Sequence, residues 1–266
     1  MRLSDAQVGR FRDDGYLVLP ELFSAPEVGL LRDALPRLFA EDTPANVREK
    51  AGGAVRTAMG LHLRDSIYGR LVRHPRLIEP AIQLLGDDRL YVQQVKVNVK
   101  AAFVGEAWQW HYDFATHHHE DGVPAPLALN LHVFLDDVTQ FNGPLHFITG
   151  SHKAGPQPTF LDTETTSYDL WCVDRDVVAR LTEAGGLFAA TGPAGTGLIF
   201  CDSLVHSSPP NLSPWDRRIF SLIVNPIANA YTDNARQEWK HHRDLTPIEP
   251  LSDDCLKGVA GGFPSS

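Results

Sequence analysis

The chain has 266 residues, 43% of them hydrophobic, and a formal net charge of −9. That length suits a single domain over residues 1–266 with a sizeable core of its own, and the acidic balance, without a basic cluster, excludes nucleic acid or an anionic membrane surface as an expected partner. Three scattered cysteines, no CxxC pair, no signal-peptide run at the start and no apolar stretch of bilayer length point to a cytoplasmic enzyme or binding protein, with no disulfide framework, cysteine zinc site or membrane anchor.

Ser4-Asp5-Ala6-Gln7 reads as a capping box opening a helix that runs to about Asp14 and stops at Gly15. Tyr16–Leu19 reads as a short strand closed by Pro20. Ser24-Ala25-Pro26-Glu27 is a second capping box, with proline in the first turn. Its helix continues through Leu30, Leu31, Ala34, Leu35 and Leu38, with Pro36 inside. Residues 41–56 are polar and glycine-containing and are expected to form a mobile loop. Residues 65–85 read as helical, interrupted near Pro75.

From Leu90 the period changes to two. Val95, Val97 and Val99 share one face of a strand, and Gln94, Lys96, Asn98 and Lys100 the other. Between Leu127 and Leu135 the odd-numbered positions form an apolar face, opposite Ala128, Asn130, His132 and Phe134. Further strands are expected at Leu145–Ile148, Gly197–Cys201 and Ile219–Asn225. Residues 155–190 show weak periodicity and are expected to be an insertion contributing to a lid. Helices first and many short strands after give a mainly β fold with flanking helices. The expected architecture is a double-stranded β-helix, a cupin-like jelly roll, buttressed by N-terminal helices.

Within that frame three residues stand out. His111 and Asp113 lie two apart in Trp110-His111-Tyr112-Asp113, so on an extended backbone they point to the same side. The spacing alone also suits a hydrogen-bonded pair in a loop. His206 follows the strand Gly197–Cys201, at a strand end where a third ligand could stand. Two imidazoles and one carboxylate fill one face of an octahedral metal and leave the other positions open, which is the ligand set of non-haem Fe(II) oxygenases. Eleven residues beyond His206, Arg217 could grip a dicarboxylate with its planar guanidinium; Arg217 and Arg218 occupy opposite faces, and either could instead pair with Asp216 on the surface. Gln94 and Asn98 point into the same space, where a cosubstrate carboxylate would satisfy buried amides. The run His117-His118-His119 cannot turn all three rings to one ion from a regular element, so no second metal site is expected there; His117 is expected to line the substrate pocket.

These residues, with Gly15-Tyr16-Leu17-Val18, Tyr91–Asn98, Glu120-Asp121-Gly122, Asn142-Gly143-Pro144-Leu145, Gly150-Ser151-His152 and Arg243–Pro247, resemble the phytanoyl-CoA dioxygenase superfamily of Fe(II)/2-oxoglutarate oxygenases along nearly the whole chain. Within it the chain looks most like the ectoine hydroxylases and the free L-proline 4-hydroxylases. The resemblance implies that His111, Asp113 and His206 bind iron and that Gln94, Asn98, Asn130, Ser208 and Arg217 bind 2-oxoglutarate. It implies a substrate pocket formed by Trp110, Phe114, His117 and Arg243, with O2 as the third reactant. The relatives carry a tryptophan where this chain has His117, a smaller, polar and titratable group. That difference puts both ectoine and L-proline in question as the natural substrate and points to a related small amino or imino acid in specialised metabolism. The retained carboxylate of Asp113 implies hydroxylation, since related halogenases lack it.

Three rivals remain on the sequence, one of them a metal-dependent isomerase or hydrolase on a similar barrel, which would need a further acid/base residue for which no clear candidate stands out. The same oxygenase chemistry could act on another natural product, including one tethered to a carrier protein. The same ligand set would also serve a metal-binding jelly roll without catalysis, which Arg217, Gln94 and Asn98 disfavour because a simple binder needs no dicarboxylate clamp. A monomer or a homodimer fits equally well.

Overall fold

A computed structural model describes residues 1–50, 53–233 and 236–257. Helix α1 (Asp5–Asp14) starts on the expected capping box, with the Gln7 amide donating to Ser4 Oγ and the Ser4 amide to Gln7 Oε1. It ends at Gly15, where φ is 85° and an added Cβ would meet the His152 ring at 2.5 Å; both demand glycine. Strand β1 (Tyr16–Leu19) leads to α2 (Ala25–Ala40), opened by the Ser24–Glu27 box.

The segment after α2 corrects the expectation of a loop over 41–56. It contains β2 (Asn46–Arg48) and β3 (Val55–Met59), an antiparallel pair, while residues 51 and 52 lie outside the described residues. Asn46 supplies the reason. Its Nδ2 donates to the carbonyls of Leu38 (2.8 Å) and Glu41 (2.9 Å) at the end of α2, so this polar side chain is buried as a helix cap. Helices α3 (Leu61–Arg64), α4 (Ser66–Leu71) and α5 (Pro75–Leu85) follow, with the expected break before Pro75.

The strand-rich part runs through β4 (Leu90–Lys100), β5 (Trp108–His111), α6 (Asp113–Asp121), β6 (Leu129–Phe134) and β7 (Leu145–Ile148). Residues 155–190 are more regular than expected. They hold β8 (Thr159–Asp162), β9 (Leu170–Val173), α7 (Arg175–Gly185) and β10 (Leu187–Ala190). Strands of four residues complete only two periods of alternation, which is why the sequence pattern there is weak. The chain continues through β11 (Gly197–Cys201), β12 (His206–Ser208) and β13 (Arg217–Pro226).

Two antiparallel sheets result. One has the order β1-β11-β6-β13-β4-β3-β2, the other β10-β7-β12-β5-β9-β8. Val95, Val97 and Val99 of β4, Leu129, Leu131 and Val133 of β6, and Phe220, Leu222 and Val224 of β13 form one apolar face of the larger sheet and pack in a single core with Val28, Leu31, Leu35 and Leu38 of α2 and with α4 and α5. Each fully buried aliphatic side chain contributes about 1.5–3 kcal/mol relative to exposure, so this face fixes the register of the three central strands. The period of two then dictates that the alternate residues of β4, β6 and β13 face the smaller sheet, and the cavity between the sheets is lined by them.

Candidate active site

The triad is assembled where β5 meets β12. His206 sits directly opposite His111 in that antiparallel pair, and the two rings are 4.1 Å apart between centroids. Strand β5 ends at His111, yet Tyr112 keeps extended dihedrals (φ −134°, ψ 140°) as the cap of α6, so Asp113 still returns to the side of His111. Tyr112 points away and donates to the Gln157 carbonyl at 2.7 Å. The ligand atoms of His111, Asp113 and His206 all lie within 4.8 Å of one another. The Nε2 atoms of His111 and His206 are each 3.9 Å from an Asp113 oxygen, too far for a hydrogen bond.

Hydrogen bonding fixes the tautomers. His111 Nδ1 lies 2.6 Å from the Gln109 carbonyl and His206 Nδ1 2.9 Å from the Leu204 carbonyl. A carbonyl only accepts, so each Nδ1 carries the proton and each Nε2 presents a lone pair to the centre. Burial, with His206 alongside, pushes His111 down to about 3, and burial lowers His206 as well, so both rings are neutral. Burial alone would raise Asp113, but the basic side chains around it, His206, Lys96 and His111, outweigh that and hold the carboxyl below its ordinary range. Two neutral imidazoles and an ionised carboxylate, open on the cavity side, are the donor set that a divalent first-row metal takes.

The larger sheet supplies the facing wall. Gln94 and Asn98 of β4, Asn130 of β6 and Arg217 of β13 all line the cavity. Gln94 Oε1, Asn98 Oδ1, Asn130 Nδ2 and Arg217 Nε have no hydrogen-bond partner among the described residues. Burial takes the Arg217 guanidinium down to about 9, still charged at neutral pH. The structure resolves the choice between the two arginines. Arg218 turns outward and grips Asp136 through Nε and Nη2, each at 2.7 Å, while the Asp216 carboxylate accepts from the Ala102 amide. Arg217 is left facing the cavity, 1% exposed. Asn130 Nδ2 and the guanidinium of Arg217 are the unpartnered donors here, the groups a dicarboxylate such as 2-oxoglutarate requires, whereas Gln94 already donates through Nε2 to the Lys240 carbonyl at 2.7 Å.

His117 is where expected, buried in the cavity wall. His118 and His119 turn away; His119 stacks on Trp171 at 4.0 Å. Four other expected residues are not brought to the cavity. Trp110 alternates with His111 along β5 and therefore faces outward, into a groove with Phe160 and Cys172. Phe114 lies about 100° around α6 from Asp113 and packs with Tyr112, Val123, Ile148 and Val205. Ser208 is buried beside Trp108, but its hydroxyl donates to the Gly143 carbonyl at 3.0 Å. Arg243 is exposed and donates to the Arg236 carbonyl.

In their place the cavity holds Lys96, His132, Tyr168 and Arg236. Lys96 and His132 were signalled by the alternation of β4 and β6, which puts them on the faces of Gln94 and Asn130. Arg236 had no local signal. It is held by Asp121, 115 residues earlier, through Nε at 2.6 Å and through Nη2.

Residues 11–219 match the phytanoyl-CoA dioxygenase family. The L-proline trans-4-hydroxylase of Streptomyces griseoviridis is 40% identical over 264 residues, covering 96% of this chain and 98% of that protein. An ectoine dioxygenase of Bordetella bronchiseptica is 37% identical, covering 97% of this chain and 88% of that protein. Among solved structures, EctD from S. alaskensis with 2-oxoglutarate and 5-hydroxyectoine superposes with a TM-score of 0.80 at 33% identity, over 94% of this chain and 86% of that one. The same protein with bound Fe gives 0.82 at 31% identity, over 94% and 87%.

Proposed function

The chain belongs to the phytanoyl-CoA dioxygenase family, and we propose that it hydroxylates a small amino or imino acid of the proline, pipecolate or ectoine kind. It is an Fe(II)- and 2-oxoglutarate-dependent dioxygenase, with O2 as the third reactant. His111, Asp113 and His206 would hold the iron, and Arg217, with Gln94, Asn98 and Asn130, would hold 2-oxoglutarate. When bound, that group couples decarboxylation of 2-oxoglutarate to succinate and CO2 with oxidation of a substrate C–H bond.

The chain's own contribution is positional. The carbonyls of Gln109 and Leu204 keep both imidazoles in the metal-binding tautomer before any metal arrives. The charged guanidinium of Arg217 meets the distal carboxylate of the cosubstrate, so the keto acid end is directed toward the triad. Leu145, Leu170 and Phe200 line the same cavity as apolar wall and exclude water from it. One observation carries the reading: a triad with both Nε2 atoms free opens into a cavity whose buried arginine has its neighbouring carboxylate already taken by Arg218.

The test is an anaerobic titration of metal-free protein with Fe(II) and then 2-oxoglutarate, followed by visible absorbance. A metal-to-ligand charge-transfer band that needs both additions is the expected result. A folded protein that binds the metal but gives no band would overturn the oxygenase site. Under air, L-proline, L-pipecolate and ectoine should then be screened for succinate release and for a product one oxygen atom heavier. Turnover only with carrier-tethered substrates would overturn the substrate class and leave the oxygenase intact.

A further inference from the structure

Asp202 is one of the buried polar side chains without a hydrogen-bond partner among the described residues. It is fully buried, and neither carboxylate oxygen has a hydrogen-bond partner. Buried polar groups are nearly always bonded, so a carboxyl with two orphan oxygens needs a reason. Its backbone is pinned: the amide donates to the Ala128 carbonyl at 3.2 Å, and the carbonyl accepts from the Phe114 amide at 2.9 Å in the first turn of α6. The side chain faces His117 on that same helix, with Oδ2 at 3.9 Å from Nδ1, about 1 Å beyond a hydrogen bond. His117 Nδ1 is itself buried and unpartnered. His117 lines the cavity and Asp202 lies behind it, so Nδ1 is the edge turned to Asp202 and Nε2 the edge left for the cavity.

We propose that Asp202 fixes His117 with its Nε2–H standing in the cavity as a hydrogen-bond donor, and that the substrate presents an acceptor oxygen to it, the carboxylate in the case of an amino or imino acid. The identity of that oxygen rests on the substrate reading above; the state of the ring does not.

Proton accounting supports the donor. Burial and the like charge of Asp113 push Asp202 well above the ordinary carboxyl range, which favours its acid form, and burial lowers His117 to about 3, which favours the neutral ring. The charged groups acting on the ring are Asp113, Asp121, Arg236 and Lys96, two of each sign. With the proton on Asp202 and its hydroxyl donating to Nδ1, the neutral ring carries its hydrogen on Nε2; the reverse, Nδ1–H donating to the carbonyl oxygen of the acid, would leave the buried hydroxyl with no acceptor among the described residues. With the proton on His117, both nitrogens carry hydrogen. Nε2 is a donor either way. His117 lies one helical turn from Asp113 on α6, so the donor and the metal ligand share a face and a substrate oxygen held there is placed against the triad. Asp202 is thus a positioning residue acting through His117.

The decisive experiment is long-range 1H–15N correlation of the histidine rings in Zn(II)- and 2-oxoglutarate-loaded protein. The expected result is a His117 ring protonated at Nε2, with Nδ1 at the shift of a hydrogen-bonded acceptor. Asp202→Asn, whose amide can donate to Nδ1, should keep that spectrum; Asp202→Leu should move Nδ1 to its unbonded position. A proton on Nδ1, or a spectrum indifferent to Asp202→Leu, overturns the proposal. In the hydroxylation assay, His117→Phe and Asp202→Leu should raise the substrate KM at least tenfold and leave the 2-oxoglutarate KM within about twofold. Asp202→Asn should stay within about threefold. His117→Phe should also lose the preference for the acid over an analogue lacking the carboxylate; an unchanged substrate KM or an undiminished preference would overturn the contact. If no amino or imino acid is turned over while the charge-transfer band forms, the substrate reading fails and the ring spectrum still decides the Asp202–His117 pair.

Discussion

Replacing Arg217 by methionine should move stability and cosubstrate affinity in opposite directions. The guanidinium is 1% exposed, and Arg218 takes the neighbouring Asp136. A fall from 12.5 to about 9 means that burial disfavours the charged form by roughly 5 kcal/mol, at about 1.4 kcal/mol per tenfold change in the proton equilibrium. Because the folded value lies below the unfolded one for a base, this burden is fully present below about pH 9 and is relieved only above it. An apolar side chain of similar volume removes it. Exchanges of buried charge for apolar groups have gained about 1–4 kcal/mol, and at about 2 kcal/mol a domain of this size gains roughly 4–8 °C in Tm. The same substitution deletes the clamp for the distal carboxylate of 2-oxoglutarate. Breaking one side of a buried charge-assisted pair costs about 2–5 kcal/mol, which is on the order of thirty- to several-thousandfold in Kd. Scanning calorimetry on metal-free protein, with and without Zn(II) and 2-oxoglutarate, reads both effects. The variant should melt higher than wild type when ligand-free and gain almost nothing from the cosubstrate. A variant that melts several degrees lower ligand-free, with cosubstrate affinity intact, would show Arg217 to be a structural ion and refute the reasoning.

The neighbouring arginine provides the contrast. Arg218→Leu breaks a two-pronged ion pair and leaves Asp136 mostly buried, so it should cost about 1–3 kcal/mol in chemical denaturation while 2-oxoglutarate affinity stays within about threefold. His206→Ala or Asp113→Ala should each abolish the Fe(II)- and 2-oxoglutarate-dependent absorption band, and Asp113→Ala should abolish hydroxylation; full activity in that variant would remove Asp113 from the ligand set. The ligand-free protein should weaken steadily below about pH 6.5. His62, His111 and His117 are pushed down to about 3 by burial, so the unfolded chain binds protons that the folded chain refuses, and each histidine loses roughly 1 kcal/mol of stability by pH 5.5. The depressed carboxyl of Asp113 acts in the same direction at lower pH. A Tm that is flat from pH 7 to pH 5 would mean these rings are not buried neutral.

How much of this could be read from the sequence depends on whether a residue's direction is set inside one element. The alternation of β4 alone put Gln94, Lys96 and Asn98 on a common face, and the alternation of β6 did the same for Asn130 and His132; the cavity wall follows once the opposite faces are driven onto the helices. His111 and Asp113 converge for a related reason, although a helix begins between them and the shared face, because one extended residue preserves the period. Trp110 and Phe114 fail by the same rule. Closeness in sequence to a ligand is not closeness to its pocket, since a strand neighbour points the opposite way and a helix neighbour turns by about 100°.

Pairings between distant segments decide the rest, and no local pattern encodes them. Arg217 and Arg218 are chemically equivalent until Asp136, 82 residues before Arg218, takes one of them. Arg236 enters the cavity because Asp121 holds it, and Asp202 comes to lie behind His117 because its carbonyl is tied to the first turn of α6. The His111–Asp113 pair and the polar faces of β4 and β6 therefore sit on short, locally encoded spacings, whereas the strand pairing that brings in His206, the choice of Arg217 over Arg218 and the placing of Arg236 and Asp202 are set by contacts across the fold. The class of reaction is legible because the residue types of His111, Asp113, His206 and Arg217 form a known ligand set, while the groups around the substrate form no such pattern. That contrast places the search for specificity on His117, Asp202, Arg236 and Lys96, where a single exchange alters the hydrogen-bonding character of the pocket without touching the ligand set.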